Sequence, residues 1–292
     1  MILIDYSQVA LANLLAFQKD LKAGSESDVE NLIRHTTLST IQFYKKKYHK
    51  EYGDVVICCD GRSYWRRSYF EYYKASRKKN REASDLNWNQ IFDILSKIRD
   101  EIKANFPYKV VHIDAAEADD IIAVLTAQAQ EFGSYEKVMI VSSDKDFKQL
   151  HPLGDVKQFS PMHKKLVVSK HDEVKRQLIE HIVKGDAGDG IPNILSKDDH
   201  FVREDAGRQA MVSAKRLQEF YDKGIDACRN EEETRNWHRN QTLVDFNFIP
   251  ESLREEILND YLNNKPTADK MSIMTYLMNH RCRLLLESLE DF

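Results

Sequence analysis

Cysteine is scarce. The 292 residues hold four, and their spacing fits neither a zinc site nor a disulfide framework: Cys58 and Cys59 adjoin in a strand-like run, while Cys228 and Cys282 stand alone. Ten histidines form no pair of recognisable ligand spacing. A soft-metal site is therefore not expected, and a reducing cytoplasm fits the thiols. No apolar stretch approaches the ~20 residues that span a bilayer. The start, Met1-Ile-Leu-Ile-Asp5, is too short an apolar run for a signal peptide and has no basic residue ahead of it. The expectation is a cytoplasmic protein without membrane attachment. Glycine and proline are sparse (10 and 6), and there is no low-complexity tract or internal repeat. Neither charge dominates, with 43 Lys and Arg against 47 Asp and Glu, a net −4. That sum argues superficially against a polyanionic partner, but charge distribution matters more.

What is present is the make-up of an ordinary globular chain, 42% hydrophobic and 31% charged, long enough for a large core plus a smaller domain. Its organising stretch is Val138-Met-Ile-Val-Ser-Ser-Asp144-Lys-Asp146-Phe147. An apolar run entering two serines and then two aspartates reads as a buried parallel strand ending in a carboxylate loop. Ile2-Leu-Ile-Asp5 and Val55-Val-Ile-Cys-Cys-Asp60 end the same way. A fourth cluster, Glu117-Ala-Asp119-Asp120, opens a helix after the strand-like run 108–113. Open α/β sheets bind ligands outside the carboxyl ends of their strands. Carboxylates gathered there repel one another unless cations hold them, so the pattern points to a divalent-metal pocket. First-turn acids also complement a helix dipole, by a few tenths of ~1 kcal/mol each.

Along the chain, helical patterns are expected at 9–17, from the capping-box spacing Ser27-Asp-Val-Glu30 to about 50, at 87–104 and at 117–132. Residues 19–25 read as loop. A hairpin is expected from Val156–Phe159 and Leu166–Val168, then helices at 171–183, 208–222, 231–244, 251–262 and 270–289. Between the second strand and the 87–104 helix, residues 62–81 carry eight Lys or Arg, one acid and six aromatics. A solvated basic helix would share the charge, but basic groups that track phosphates and rings that stack on bases, each worth roughly 1–3 kcal/mol, suit a segment that grips single-stranded nucleic acid. Four of the ten glycines fall in 185–207, within Gly185-Asp186-Ala-Gly188-Asp189-Gly190-Ile-Pro192 and after it. This is the expected domain boundary, dividing 1–183, with its basic arch-like segment at 62–85, from a helical region over 184–292.

In combination and order, these pieces resemble the 5′-nuclease (flap endonuclease) superfamily, which includes the 5′-nuclease domain of bacterial DNA polymerase I and phage 5′-exonucleases. Within it the chain is most similar to the ribonucleases H of T4-type bacteriophages. Ile-Asp5-Tyr-Ser and Cys-Asp60 match the first two acidic strands. Trp65-Arg66 through Tyr73-Lys74 and Arg77 match the arch. Glu117-Ala-Asp119-Asp120, Ser-Asp144-Lys-Asp146-Phe and Gly185-Asp186-x-x-Asp189 match the remaining acidic motifs. One departure stands out: after Ile-Pro the family's glycine hairpin, ending Gly-x-Lys-Thr-Ala, is absent, and Ser213-Ala-Lys215-Arg216 stands as a degenerate remnant.

The resemblance implies an α/β fold with a mostly parallel sheet flanked by helices and a helical C-terminal region. It implies a catalytic domain over 1–183 and a DNA-binding domain over 184–292. It implies two Mg²⁺ ions, replaceable by Mn²⁺. Asp5, Asp60, Glu117, Asp119 and Asp120 would form one metal centre, and Asp144, Asp146 and Asp189, with Asp186 nearby, the other. Lys74 and Arg77 would reach the scissile phosphate. Arg66, Arg67 and Lys78 would contact other phosphates, and Tyr73 would stack on a base. The implied activity is 5′ to 3′ exonuclease and flap endonuclease action on RNA–DNA hybrid, 5′-flap and nicked duplex DNA, removing RNA primers in phage replication. Implied partners are a single-stranded-DNA-binding protein and a replisome clamp, met as a monomer in the host cytoplasm. Rival readings are a PIN-type ribonuclease, which lacks the arch and the long helical C-terminus, and a non-catalytic flap-binding module, which would lose the acids. An Asp-based phosphatase is disfavoured because Lys148 stands where Thr or Val is expected.

Overall fold

The computed structural model describes residues 1–16, 26–84, 86–131 and 133–292, with side chains of 12–16, 26 and 80 left aside. The expected loop at 19–25 lies outside the described residues. In chain order the elements are β1 (Ile2–Asp5), α1 (Tyr6–Ala16), α2 (Glu26–Tyr52), β2 (Val55–Cys59), α3 (Trp65–Tyr69) and α4 (Ser76–Glu82). There follow α5 (Trp88–Asn105), β3 (Lys109–His112), α6 (Ala118–Ala129), β4 (Val138–Val141), β5 (Val156–Ser160) and β6 (Lys165–Val167). The chain closes with α7 (His171–Lys184), α8 (Ala214–Lys223), α9 (Glu231–Val244), α10 (Glu251–Asn263), α11 (Lys270–Asn279) and α12 (Arg283–Leu286).

The six strands form one sheet in the order β3-β2-β1-β4-β5-β6, parallel except for β6. Every residue of β1, β2 and β4 is buried. That is the environment in which uninterrupted Val and Ile runs are stable, because both faces of a parallel sheet are covered. Chain order runs outward in both directions from β1 and β4, so the sheet has its switch point between those two strands. Asp5 closes β1 there, and Ser142 follows β4.

The chain packs as two compact units, each assembled from separate stretches: 1–62 with 86–168 and 252–292, and 63–85 with 169–251. This groups residues differently from the expected split at 183/184. The final stretch joins the first unit because Ile273, Tyr276, Leu277, Leu285 and Phe292 enter the core that holds Ile4, Ile57 and Val141. The Phe292 ring lies 5.2 Å from that of Phe106. The fully buried Arg34 of α2 ties the same region together, donating to Glu101 (3.1 Å) and to the Tyr276 hydroxyl (3.0 Å). In α5, capped by the Asn87 side chain, the buried Ile91, Ile94, Leu95, Ile98 and Ile102 form the helix's core stripe.

The second unit has its own core, in which Phe70 and Tyr73 of the basic segment join Ile182, Val183, Phe220 and Trp237. From α9, Asn240 donates to the carbonyls of Ile182 (2.7 Å) and Pro192 (2.9 Å), and Asn236 to that of Ile194 (2.9 Å). These buried amides hold the glycine-rich stretch where no regular ladder is available to it.

Two expected helices are shorter. The one expected from 208 begins at 214, where Ser213 accepts from the Arg216 N–H (3.2 Å) as N-cap. The one expected over 270–289 breaks after Asn279. Arg281 takes a left-handed φ of 55°, and the Cys282 N–H reaches back to the Leu277 carbonyl (2.9 Å). That six-to-one bond is a Schellman-type stop, made here without the glycine that usually marks it.

Candidate active site

In the first unit, the acids sit where the strands end. Asp5 is almost wholly buried, at 7% exposure. It accepts from the Gln8 N–H (3.1 Å) on one oxygen and from the Ser142 hydroxyl (3.1 Å) on the other. Burial raises its pKa to about 7, and the neighbouring carboxylates of Asp60 and Asp144 push in the same direction, against those two hydrogen bonds. Asp60 accepts from the Ala118 N–H (2.9 Å) at the start of α6. The next residue must be glycine: a Cβ on Gly61 would stand 2.2 Å from the carbonyl oxygens of Ile113 and Asp114. Close approach to the exit of β3 thus fixes where Asp60 points. Burial drives the Cys58 thiol well above its usual range, and the charges of Asp5, Asp119 and Asp60 add to that.

At the end of β4, the Asp144 N–H donates to the Ser142 hydroxyl (3.1 Å), and the Asp146 N–H donates to Asp144 (2.9 Å). Asp119, Asp144 and Asp146 are half-buried. Glu117 and Asp120 are fully enclosed, and Asp120 accepts from the Glu117 N–H (3.0 Å). Together they form the capping box of α6. Among the described residues, no three His, Cys, Asp or Glu side chains are gathered closely enough to hold a metal ion as they stand. The donor set is nonetheless all hard oxygen, the kind that binds Mg²⁺ or Mn²⁺. Asp5, pressed by two like charges, carries the repulsion that a cation would relieve.

In the second unit, the glycine-rich loop is a closed turn. Asp186 and Ile191 exchange both backbone hydrogen bonds (2.8 and 2.7 Å). The Asp186 carboxylate accepts from the N–H groups of Gly188 (2.8 Å) and Asp189 (3.2 Å) and contacts His181 Nε2 (3.1 Å). The basic segment docks on this turn. Gly190 passes so close that a Cβ would stand 2.9 Å from the Tyr72 carbonyl oxygen. The Lys74 N–H donates to the Asp189 carbonyl (2.7 Å). Asp189's carboxylate accepts from Arg77 (2.5 Å) and from the Tyr73 hydroxyl (3.1 Å), with the Lys74 ammonium 3.7 Å away.

The residues of this segment therefore divide. Arg67, Arg77 and Lys78 are exposed, and Lys74 is partly enclosed, its ammonium 5.0 Å from the Tyr73 ring centre. Arg66 and Tyr73 correct the sequence reading. Arg66 is 3% exposed and donates to the Leu243 carbonyl (2.8 Å), which makes it a buried strut rather than a phosphate contact. Tyr73 is equally buried and uses its hydroxyl on Asp189, leaving no open face for a base to stack on. Sequence reading missed Gln8, Ser142 and Gln158, neutral groups that fix the strand-end acids. The paired serines after β4 were the one visible signal.

The sequence matches the family model for the 5′-3′ exonuclease N-terminal resolvase-like domain over residues 1–179, and that for the T4 RNase H C-terminal region over 173–292. It is 34% identical to the ribonuclease H of Enterobacteria phage T4, across 99% of this chain and 95% of that protein. It is 28% identical to a 5′-3′ exonuclease of Buchnera aphidicola, across 51% of this chain and 50% of that one. Among solved structures, the T5 5′-exonuclease with bound zinc ions superposes with a TM-score of 0.62 at 18% identity, covering 90% of this chain and 98% of that one. The bacteriophage T5 flap endonuclease in complex with DNA and metal ions gives a TM-score of 0.60. Those structural likenesses bear on the fold.

Proposed function

The chain belongs to the 5′-3′ exonuclease family and is a nuclease, and from that premise we propose that it is a divalent-metal-dependent 5′ nuclease of the ribonuclease H type. Its substrates are 5′ ends of RNA or DNA annealed to DNA, and 5′ flaps. Its task is removal of RNA primers during phage DNA replication, with Mg²⁺ as the working ion and Mn²⁺ as a substitute. The observation that carries the reading is the placing of Asp5, Asp60 and Asp144 at the carboxyl ends of the adjacent strands β1, β2 and β4, with Asp60 and Asp144 close enough to raise the proton affinity of Asp5.

Asp5, Asp60, Asp119, Asp144 and Asp146 are the side chains that would hold the ions. Glu117 and Asp120, engaged in the α6 cap, complete the acidic set that the resemblance implies for the first ion. Bound divalent cations supply electrophilic stabilisation of phosphate oxygens and acidify water near neutral pH. Gln8 and Ser142 orient the Asp5 carboxylate by donating one hydrogen bond to each of its oxygens. Lys74 and Arg77 bind a phosphate and offset its growing charge as the bond breaks. Arg67 and Lys78, both exposed, add sequence-independent phosphate contacts.

Product mapping on 5′-labelled flap, nicked and RNA-primed duplexes, with and without Mg²⁺, tests the reading. Short 5′ products that appear only with metal are expected. Preference for single-stranded RNA, or no cleavage with either Mg²⁺ or Mn²⁺, sinks it. Flap binding should weaken steeply as salt rises, and a flat response removes the phosphate-contact argument.

A further inference from the structure

A single hydroxyl joins two of the proposed ligands. Ser142, fully buried at the end of β4, donates to Asp5 Oδ2 (3.1 Å) and accepts from the Asp144 N–H (3.1 Å). A serine hydroxyl has one proton to give, and here it goes to the carboxylate of the neighbouring strand. The link therefore runs across the switch point, from the backbone of one acid to the side chain of another.

The backbone that carries this hydroxyl is itself held from β5. Gln158, also fully buried, donates its two amide hydrogens to two carbonyls, Ser142 (2.9 Å) and Asp144 (2.6 Å). Its own oxygen lies 3.1 Å from His151 Nε2. Turning the amide over would set its oxygen against two carbonyl oxygens, so the orientation is fixed, and Nε2 of a neutral His151 must carry the proton. The bend from β4 into Asp144 is thus clamped by a side chain two strands away from Asp5. Nothing in this clamp is charged, so it adds no further repulsion to the acids.

We propose that Ser142 is a positioning residue of the site: its hydroxyl sets where the Asp5 carboxylate and the Asp144 turn stand relative to each other, and Gln158 anchors it. This rests on the metal-dependent reading above, and it deepens that reading by naming a side chain that tunes affinity for the ion without touching it. Groups that orient metal ligands change metal affinity about 10–100-fold when removed.

The test uses the full chain as Ser142→Ala, Ser142→Thr and Gln158→Met. Mn²⁺ binding to the DNA-free protein is measured by calorimetry, the Mg²⁺ dependence of single-turnover flap cleavage by quenched flow, and flap affinity in Ca²⁺ by anisotropy. Ser142→Ala should weaken Mn²⁺ binding about tenfold and raise the half-saturating Mg²⁺ concentration by a similar factor, with flap affinity unchanged. Ser142→Thr, which keeps the hydroxyl, should restore both curves. Gln158→Met should move them the same way by less, and it serves in place of Ser142→Ala if that variant does not fold. A wild-type Mn²⁺ isotherm in the folded variant overturns the role of Ser142. A native chain that cuts no flap with any divalent ion overturns the function itself.

Discussion

Asp5 and Asp189 are both carboxylates that the family resemblance assigns to metal, yet folding treats them differently. In the first unit, Asp5 is sealed from water and held by a backbone N–H and a hydroxyl, with Asp60 and Asp144 close enough to raise its proton affinity. In the second unit, Asp189 lies against Arg77, Lys74 and the Tyr73 hydroxyl. One site keeps like charges together on neutral supports, and the other satisfies its acid with its own cations. A buried carboxylate among its own kind weakens the metal-free fold, and natural proteins keep such arrangements where activity needs them. An acid met by cations does the reverse, docking the basic segment on the glycine-rich turn. The difference separates an acid crowded by like charges from an acid that docks the basic segment.

The comparison can be broken most directly at the strand ends. Asp144→Asn should lower single-turnover cleavage about 10³-fold, since several kcal/mol of charge stabilisation depend on the ligand set and each 1.36 kcal/mol is tenfold. Flap affinity should persist, and full turnover with Mg²⁺ would remove Asp144 from the site. Lys74→Ala should slow the cleavage step about 10²-fold while affinity falls far less. A loss confined to binding would make Lys74 a docking residue.

Stability sharpens the contrast. Asp5→Asn should abolish cleavage yet raise the stability of the metal-free protein by roughly 4 kcal/mol at pH 8, at ~1.36 kcal/mol for each pKa unit. The sign follows from a folded pKa of about 7 against an ordinary 3.8: ionising Asp5 costs the fold more as pH rises toward 7, and the amide never ionises. Denaturant midpoints at pH 5 and pH 8 check it, and a variant no more stable than wild type at pH 8 refutes it.

The smallest effect concerns the histidines. Burial lowers the pKa of His112, His151 and His280 below 6.5. The unfolded chain therefore takes up protons first on acidification, and stability should fall modestly as pH drops through about 6.5. His151→Gln should flatten part of that slope, and an unchanged slope would place the effect elsewhere.

Much of the sheet was legible because fully buried parallel strands read as unbroken apolar runs, and β1, β2 and β4 each run toward acids at their carboxyl ends. What stayed hidden depends on neighbours distant in sequence. The burial of Arg66 rests on the Leu243 carbonyl, 177 positions away. The use of Tyr73 as a hydrogen-bond donor rests on Asp189. The clamp of Gln158 on the Ser142 turn belongs to strand pairing and has no local motif. The stop at Arg281 carries no glycine to announce it. The placing of 252–292 in the first unit follows from where its apolar side chains find cover, which periodicity alone does not specify.

The backbone of Lys74 carries one more consequence. Its φ of 55° is a geometry that glycine adopts freely and lysine only under constraint. Alanine at this position would keep the torsional penalty while deleting the amine, whereas glycine would delete both. A Lys74→Gly protein is accordingly the better host for chemical rescue, with a small alkylamine added from solution to occupy the emptied space beside Asp189 and the Tyr73 ring.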